Sequence, residues 1–197
     1  MSQKITSSFE IDQVTTGNDD DGTDGIALIV NEEHILSDSD AEAVFQAERR
    51  NNDVEIVFIQ SKTSESFELG DFLKFKDSVL RFFTQTPYTV ASETERDTRG
   101  AFDVAIHNVP KIRYGKPIVS ATYVTTGVYG APDALETAKN EMKSQLESLG
   151  LFQSVDVNFM GRDEIIEAWV ATYSGIEATL PMLSLIHISE PTRPIIR

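Results

Sequence analysis

"VEIVFIQSKTSESF", residues 54–67, is the stretch on which the fold turns. Every residue from Val54 to Ile59 except Glu55 is β-branched or apolar, the composition of a buried strand. Gln60, Ser61 and Lys62 then follow before any turn signal. Alternate residues of a strand share a face, so Gln60 and Lys62 point one way and Ser61 the other. A core strand therefore ends in an amide and an ammonium.

Working outward, "GIALIV" at 25–30 is a second apolar run, followed by "NEE" as a turn and "HIL" as a short return strand. "SDSDAEAVFQAERRN" predicts a helix with a Ser or Asp cap and Ala43, Val44 and Ala47 as its apolar positions. Beyond Lys62, the residues Phe72, Phe75, Val79, Phe82 and Phe83 recur at helical spacing, predicting an amphipathic helix over roughly 69–84 that packs on a sheet. "ETERDTRGAFDVAIHNVPK" holds a helix that stops before Pro110. "PIVSATYVTTG" is a strand ending at Gly127. In "APDALETAKNEMKSQLESLG", Pro132 opens a helix whose buried face is Leu135, Ala138, Met142, Leu146 and Leu149, with Gly150 as its C-terminal cap. "SVDVNFM" alternates as a strand, "GRDEIIEAWVATYS" is a further helix, and "IEATL" starts another strand. Strands alternating with helices predict an α/β fold, its sheet mixed where the early hairpin sits.

The chain has 197 residues, 40% hydrophobic and 25% charged, an ordinary globular composition. No apolar run reaches bilayer length and "MSQKITSSFE" has no apolar signal core, so a cytoplasmic chain with no membrane partner is expected. Cysteine is absent, which excludes disulfides, thiolate metal sites and a cysteine nucleophile. The formal net charge of −15 repels polyanions at long range, so a nucleic-acid site needs cations focused locally. "LSLIHISEPTR", residues 183–193, reads like a transposon-type sequencing adaptor translated in frame; on that reading 183–197 is not native and the protein continues past about Met182.

Two polar clusters interrupt the apolar strands: "NDDDGTDG" at 18–25 and "QSK" at 60–62. If their strands are neighbours, Asp24 at the mouth of one meets Gln60 and Lys62 at the end of the other. Carboxylate and amide oxygens suit a hard cation such as Mg²⁺, which takes few protein ligands. A nearby ammonium orients an attacking water and offsets charge on a phosphoryl oxygen. The chemistry implied is metal-assisted phosphodiester hydrolysis. Asp, Asn and Gly are also ordinary turn residues, and a strand-end lysine is ordinarily solvated. The acidic loop is no calcium loop: with Gly22 at the invariant glycine, Gly17 and Leu28 fall where acids are required. No "GxGxxG" or "GxxxxGK" follows the first strand, which counts against a small-molecule phosphate enzyme of doubly wound type.

"Asp-Gly-x-Asp-Gly-Ile", "Gln-x-Lys-Thr-Ser" and the later "Tyr-Val-Thr-Thr-Gly" together resemble the PD-(D/E)xK nuclease superfamily in its Mrr-like Gln-x-Lys variant. More narrowly, over about residues 9–182, they resemble the abortive-infection phage-resistance (AIPR) family. The resemblance implies a restriction-endonuclease-like mixed sheet flanked by helices, with a nuclease-like domain over 1–127 and an α/β continuation over 128–182. It implies Asp24 as a metal-binding aspartate, Gln60 as a carbonyl-oxygen ligand and Lys62 as the catalytic lysine, with Mg²⁺ or Mn²⁺ as cofactor. Asp21 and Thr23 stand where the family more often has Gly and Ile. For the superfamily's helix glutamate the candidate is Glu10, Asp12 being the other acid nearby, and the segment around them is short for a helix.

Further candidates are Asp21 and Ser64 near the site; Thr63 and Ser64 equally suit capping the next helix. Glu68 is either an additional acid or a first-turn glutamate favoured by the helix dipole. Lys74 with Arg81, and Lys111, Arg113 and Lys116 in "KIRYGK", are candidates for phosphate contact or simply solubilising cations. His34 and His107 lack a ligating partner at suitable spacing. The expected function is a metal-dependent nuclease acting on DNA or RNA in phage defence, a homo-oligomer being compatible with it. The alternative is a catalytically inactive sensing or assembly module with the same fold.

Overall fold

The computed structural model describes residues 15–16, 22–86 and 92–174. Five strands form one mixed sheet in the order β2-β1-β3-β4-β5: β1 Gly25–Val30, β2 Glu33–Ile35, β3 Val54–Lys62, β4 Ile118–Thr125 and β5 Ser154–Met160. β1 runs antiparallel to β2 and to β3, with Gly25 opposite Ile59, while β3, β4 and β5 run parallel. The α/β class and the mixed sheet expected from the alternation of patterns are both present. Parallel neighbours need helical crossovers, and α2 (Leu69–Thr84) with α3 (Glu93–His107) links β3 to β4, while α4 (Asp133–Ser148) links β4 to β5.

The core lies on one face of this sheet. Ile26, Leu28 and Val30 of β1, Val54, Ile56 and Phe58 of β3, Val119, Ala121 and Tyr123 of β4, and Val155 and Val157 of β5 are all buried. The period of two explains this, because the paired register puts those residues side by side. α2 covers them with Phe72, Phe75, Val79 and Phe82, each fully buried, worth about 2 kcal/mol of apolar burial per side chain. Its rings interlock edge to face with the strands: Phe58 with Phe82 at 5.2 Å and Phe72 with Tyr123 at 5.8 Å. Ser92 caps α3 by accepting from the Glu95 N–H. Buried Leu135, Ala138, Met142 and Leu146 of α4 match the expected stripe.

One expectation fails. α1 (Asp38–Gln46) starts at the Ser37 cap, but Ala41 and Phe45 form its buried face, whereas Ala43 and Ala47 are exposed and Val44 is half-buried. Phe45 carries far more apolar area than an alanine, so it sets the helix rotation. β5 pairs along β4, and the first compact unit runs on to Arg162; a second begins at Asp163, within α5 (Arg162–Ser174). "IEATL" and the tail 183–197 lie outside the described residues. Among the described residues no helix is long and apolar enough to cross a membrane.

Candidate functional site

The chain reaches β1 through two anchors on α2. Gly22 has φ +83°, and a Cβ there would lie 2.6 Å from the Lys74 carbonyl oxygen, so only glycine passes. Thr23 is buried and donates its hydroxyl to Ser78 Oγ at 3.0 Å. Asp24 follows with its own backbone pinned: its N–H donates to the Ile59 carbonyl and its carbonyl accepts from the Thr16 N–H, both at 2.9 Å. Since Gly25 also pairs with Ile59, Asp24 and the first residue of β1 face one residue of β3, the arrangement of a β-bulge.

The bulge re-aims the Asp24 side chain. Its Oδ2 accepts from the Ser61 N–H and from Ser61 Oγ, each at 2.7 Å. Asp24 thus stands at the end of the sheet where β3 finishes with Gln60, Ser61 and Lys62, and the residue it bonds there is Ser61. Gln60 and Lys62 share a parity but not an environment: Gln60 is 2% exposed, whereas the Lys62 side chain is in solvent and makes no hydrogen bond or ion pair among the described residues. Gln60 Nε2 donates to the Ser61 carbonyl at 3.2 Å, leaving its buried Oε1 without a partner.

"YVTTG" supplies the neighbouring wall. Thr126 donates its hydroxyl to the Thr63 and Ser64 carbonyls at 3.0 and 3.1 Å, and its N–H to Ser64 as well. Gly127 packs directly on the Glu65 backbone, where a Cβ would come within 2.5 Å of the carbonyl carbon. The loop that follows Lys62 is therefore stitched to the end of β4. Tyr123 lies beside Gln60 in the parallel register. Burial, then the charges of Asp71, Glu68 and Asp24, push its hydroxyl up to about 12, so these three carboxylates lie around it.

The remaining candidates scatter. Ser64 does not cap α2: its Oγ accepts from the Ser66 N–H at 3.0 Å, and the cap position is Glu68, which makes no capping bond and instead accepts from Ser66 Oγ. A turn of serines satisfies itself locally, which is why the capping expectation fails. Lys74 lies 3.9 Å from Asp71 on exposed α2 surface, with Arg81 exposed further along. The "KIRYGK" cations stand at the opposite end of β3, where Glu55 pairs with Ile118. Nine residues at about 3.3 Å each put roughly 26 Å between the two ends. Lys111 there donates to the Phe45 and Ala47 carbonyls at the end of α1, and Arg113 forks onto Asp53 at 2.5 and 2.8 Å. Both are committed to the fold; Lys116 is exposed. Glu10 and Asp21 lie outside the described residues.

Sequence reading missed Ser61 and Tyr123. Ser61 was assigned to the opposite face, and only the bulge brings Asp24 to it. Tyr123 carried a weak signal, a polar tip in an otherwise apolar strand. Comparison of the chain with protein-family models, curated proteins and solved structures gives no match.

For a hard cation the donor set is carboxylate plus amide oxygen. Gln60 Oε1 is a buried acceptor with no partner and Asp24 Oδ1 lies outside the Ser61 pair, so both are oxygens of the kind such an ion takes. Among the described residues no three of His, Asp or Glu meet as an ion-binding group.

Proposed function

We propose that this chain is a metal-dependent nuclease of the PD-(D/E)xK type acting on DNA or RNA, in phage defence by abortive infection. The observation that supports it most is the Asp24 carboxylate bonded to Ser61, the residue between Gln60 and Lys62, with the Gln60 amide oxygen left unbonded. The motif resemblance to the AIPR family supports the setting. Electrostatics adds to it: Asp24, Glu68 and Asp71 gather here in a chain of net charge −15, so a phosphodiester needs a cation before it can approach.

In this reading Asp24 and Gln60 hold Mg²⁺ or Mn²⁺. The ion, when bound, supplies Lewis acidity toward a phosphoryl oxygen and hydroxide at neutral pH. Ser61 fixes one oxygen of Asp24, so the other is presented in one orientation. Lys62, free in solvent, orients the attacking water and offsets the charge growing on the phosphate. The test is magnesium- or manganese-dependent cleavage of DNA and RNA by the protein, compared with Asp24→Asn and Lys62→Ala. Loss of about a hundredfold or more in kcat is expected for each. Cleavage that persists in both variants would sink the assignment.

A second reading, an inactive sensing or assembly module, is favoured by the Ser61 donors already bonded to Asp24 and by the lack of a three-residue ion-binding group among the described residues. It predicts unaltered phage protection when Lys62 is replaced.

A further inference from the structure

Tyr123 and Gln60 are lateral partners on the parallel strands β4 and β3. Tyr123 is fully buried, Gln60 2% exposed, and neither the Tyr123 hydroxyl nor Gln60 Oε1 has a hydrogen-bond partner among the described residues. The amide's orientation is fixed, because the Ser61 carbonyl accepts only from nitrogen. A buried donor and a buried acceptor thus belong to residues paired across neighbouring strands, each left unmade at a cost a fold ordinarily avoids.

Packing does not require the hydroxyl. The Tyr123 ring lies against Phe67, Phe72, Phe75 and Phe159 at 5.8 to 6.2 Å, contacts that a phenylalanine would make equally well. Those rings also lock its direction. Burial and the surrounding carboxylates oppose its ionisation, so the group remains a donor. A buried polar group without a structural partner, at the strand ends where Asp24 arrives, marks a place kept for a ligand.

We infer that the Tyr123 hydroxyl and the Gln60 amide oxygen form a two-point site: Gln60 holds the cation, and Tyr123 donates to an oxygen beside it. That oxygen belongs either to the hydrated ion or to the scissile phosphate. The inference rests on the metal-dependent reading of the same site and makes Tyr123 a further positioning residue.

The experiment compares wild type with Tyr123→Phe in three readouts: the denaturation midpoint without metal, the rise in midpoint with magnesium chloride alone, and kcat and KM for cleavage. Without metal the variant should be as stable as wild type or more so, since an unsatisfied hydroxyl is gone. A fall of about a hundredfold in kcat, with KM within about twofold and the magnesium effect intact, assigns the donor to the phosphate. A reduced magnesium effect assigns it to the hydrated ion. A variant that loses stability without metal, or one that matches wild type in both the magnesium effect and kcat, overturns the inference. If wild type does not cleave but is stabilised by magnesium, the nuclease reading fails, and the magnesium effect in the variant still decides the role of Tyr123. If magnesium has no effect and nothing is cleaved, both fall.

Discussion

Replacing Gly127 by alanine tests how tightly the loop after Lys62 is held. The added Cβ would overlap the Glu65 carbonyl oxygen and lie 2.5 Å from its carbon and 3.1 Å from its Cα. Both partners are backbone, so no rotamer change relieves the clash. The loop 63–66 must move away from β4 by more than an ångström. That movement breaks the three bonds from Thr126 to Thr63 and Ser64, at 3.0, 3.1 and 3.3 Å. Each is worth about 1 kcal/mol net. Overpacking of this kind costs about 1–3 kcal/mol by itself, so a total of about 4–6 kcal/mol is expected. Urea denaturation should show a lower midpoint at unchanged slope. Gly130→Ala is the control, because a Cβ there meets nothing within 4 Å and the midpoint should hold. If Gly127→Ala stays within about 0.5 kcal/mol of wild type, the stitched loop is not what stabilises this end of the sheet.

Lys76 is a buried cation on α2, paired at 3.2 Å with Glu141 of α4, whose side chain is 58% exposed. Glu141→Ala strands the ammonium and should cost about 1–2 kcal/mol, less than a fully buried pair because one partner is wet, whereas Lys76→Met should be nearly neutral; equal losses in urea melts would refute this. At alkaline pH, Tyr123 binds its proton more tightly folded, at about 12, than unfolded, at 10.0. Its contribution is fully present below pH 10 and is lost as pH rises through 12, so Tyr123→Phe should flatten the alkaline fall in stability measured by denaturation between those values.

What the sequence determined was the set of elements. Runs of period two and period 3.6 are local, and burying one face satisfies them whatever lies elsewhere; α2 at Leu69–Thr84 and β5 at Ser154–Met160 were legible for that reason. The polar ends of β1 and β3 were legible too, because Gln60 and Lys62 break an apolar run. Tertiary structure alone decided the rest. Rotation of α1 depended on which side chain found the larger apolar contact, and Phe45 won over the alanines. Lys111 and Arg113 of "KIRYGK" carry no local sign of a partner, yet they bond Phe45, Ala47 and Asp53, residues about 60 positions away. The bulge that turns Asp24 to Ser61, and the pairing of Gln60 with Tyr123, join segments whose separation carries no periodic signal. Strand register is set by how a whole sheet buries its faces, and it is register that makes this site.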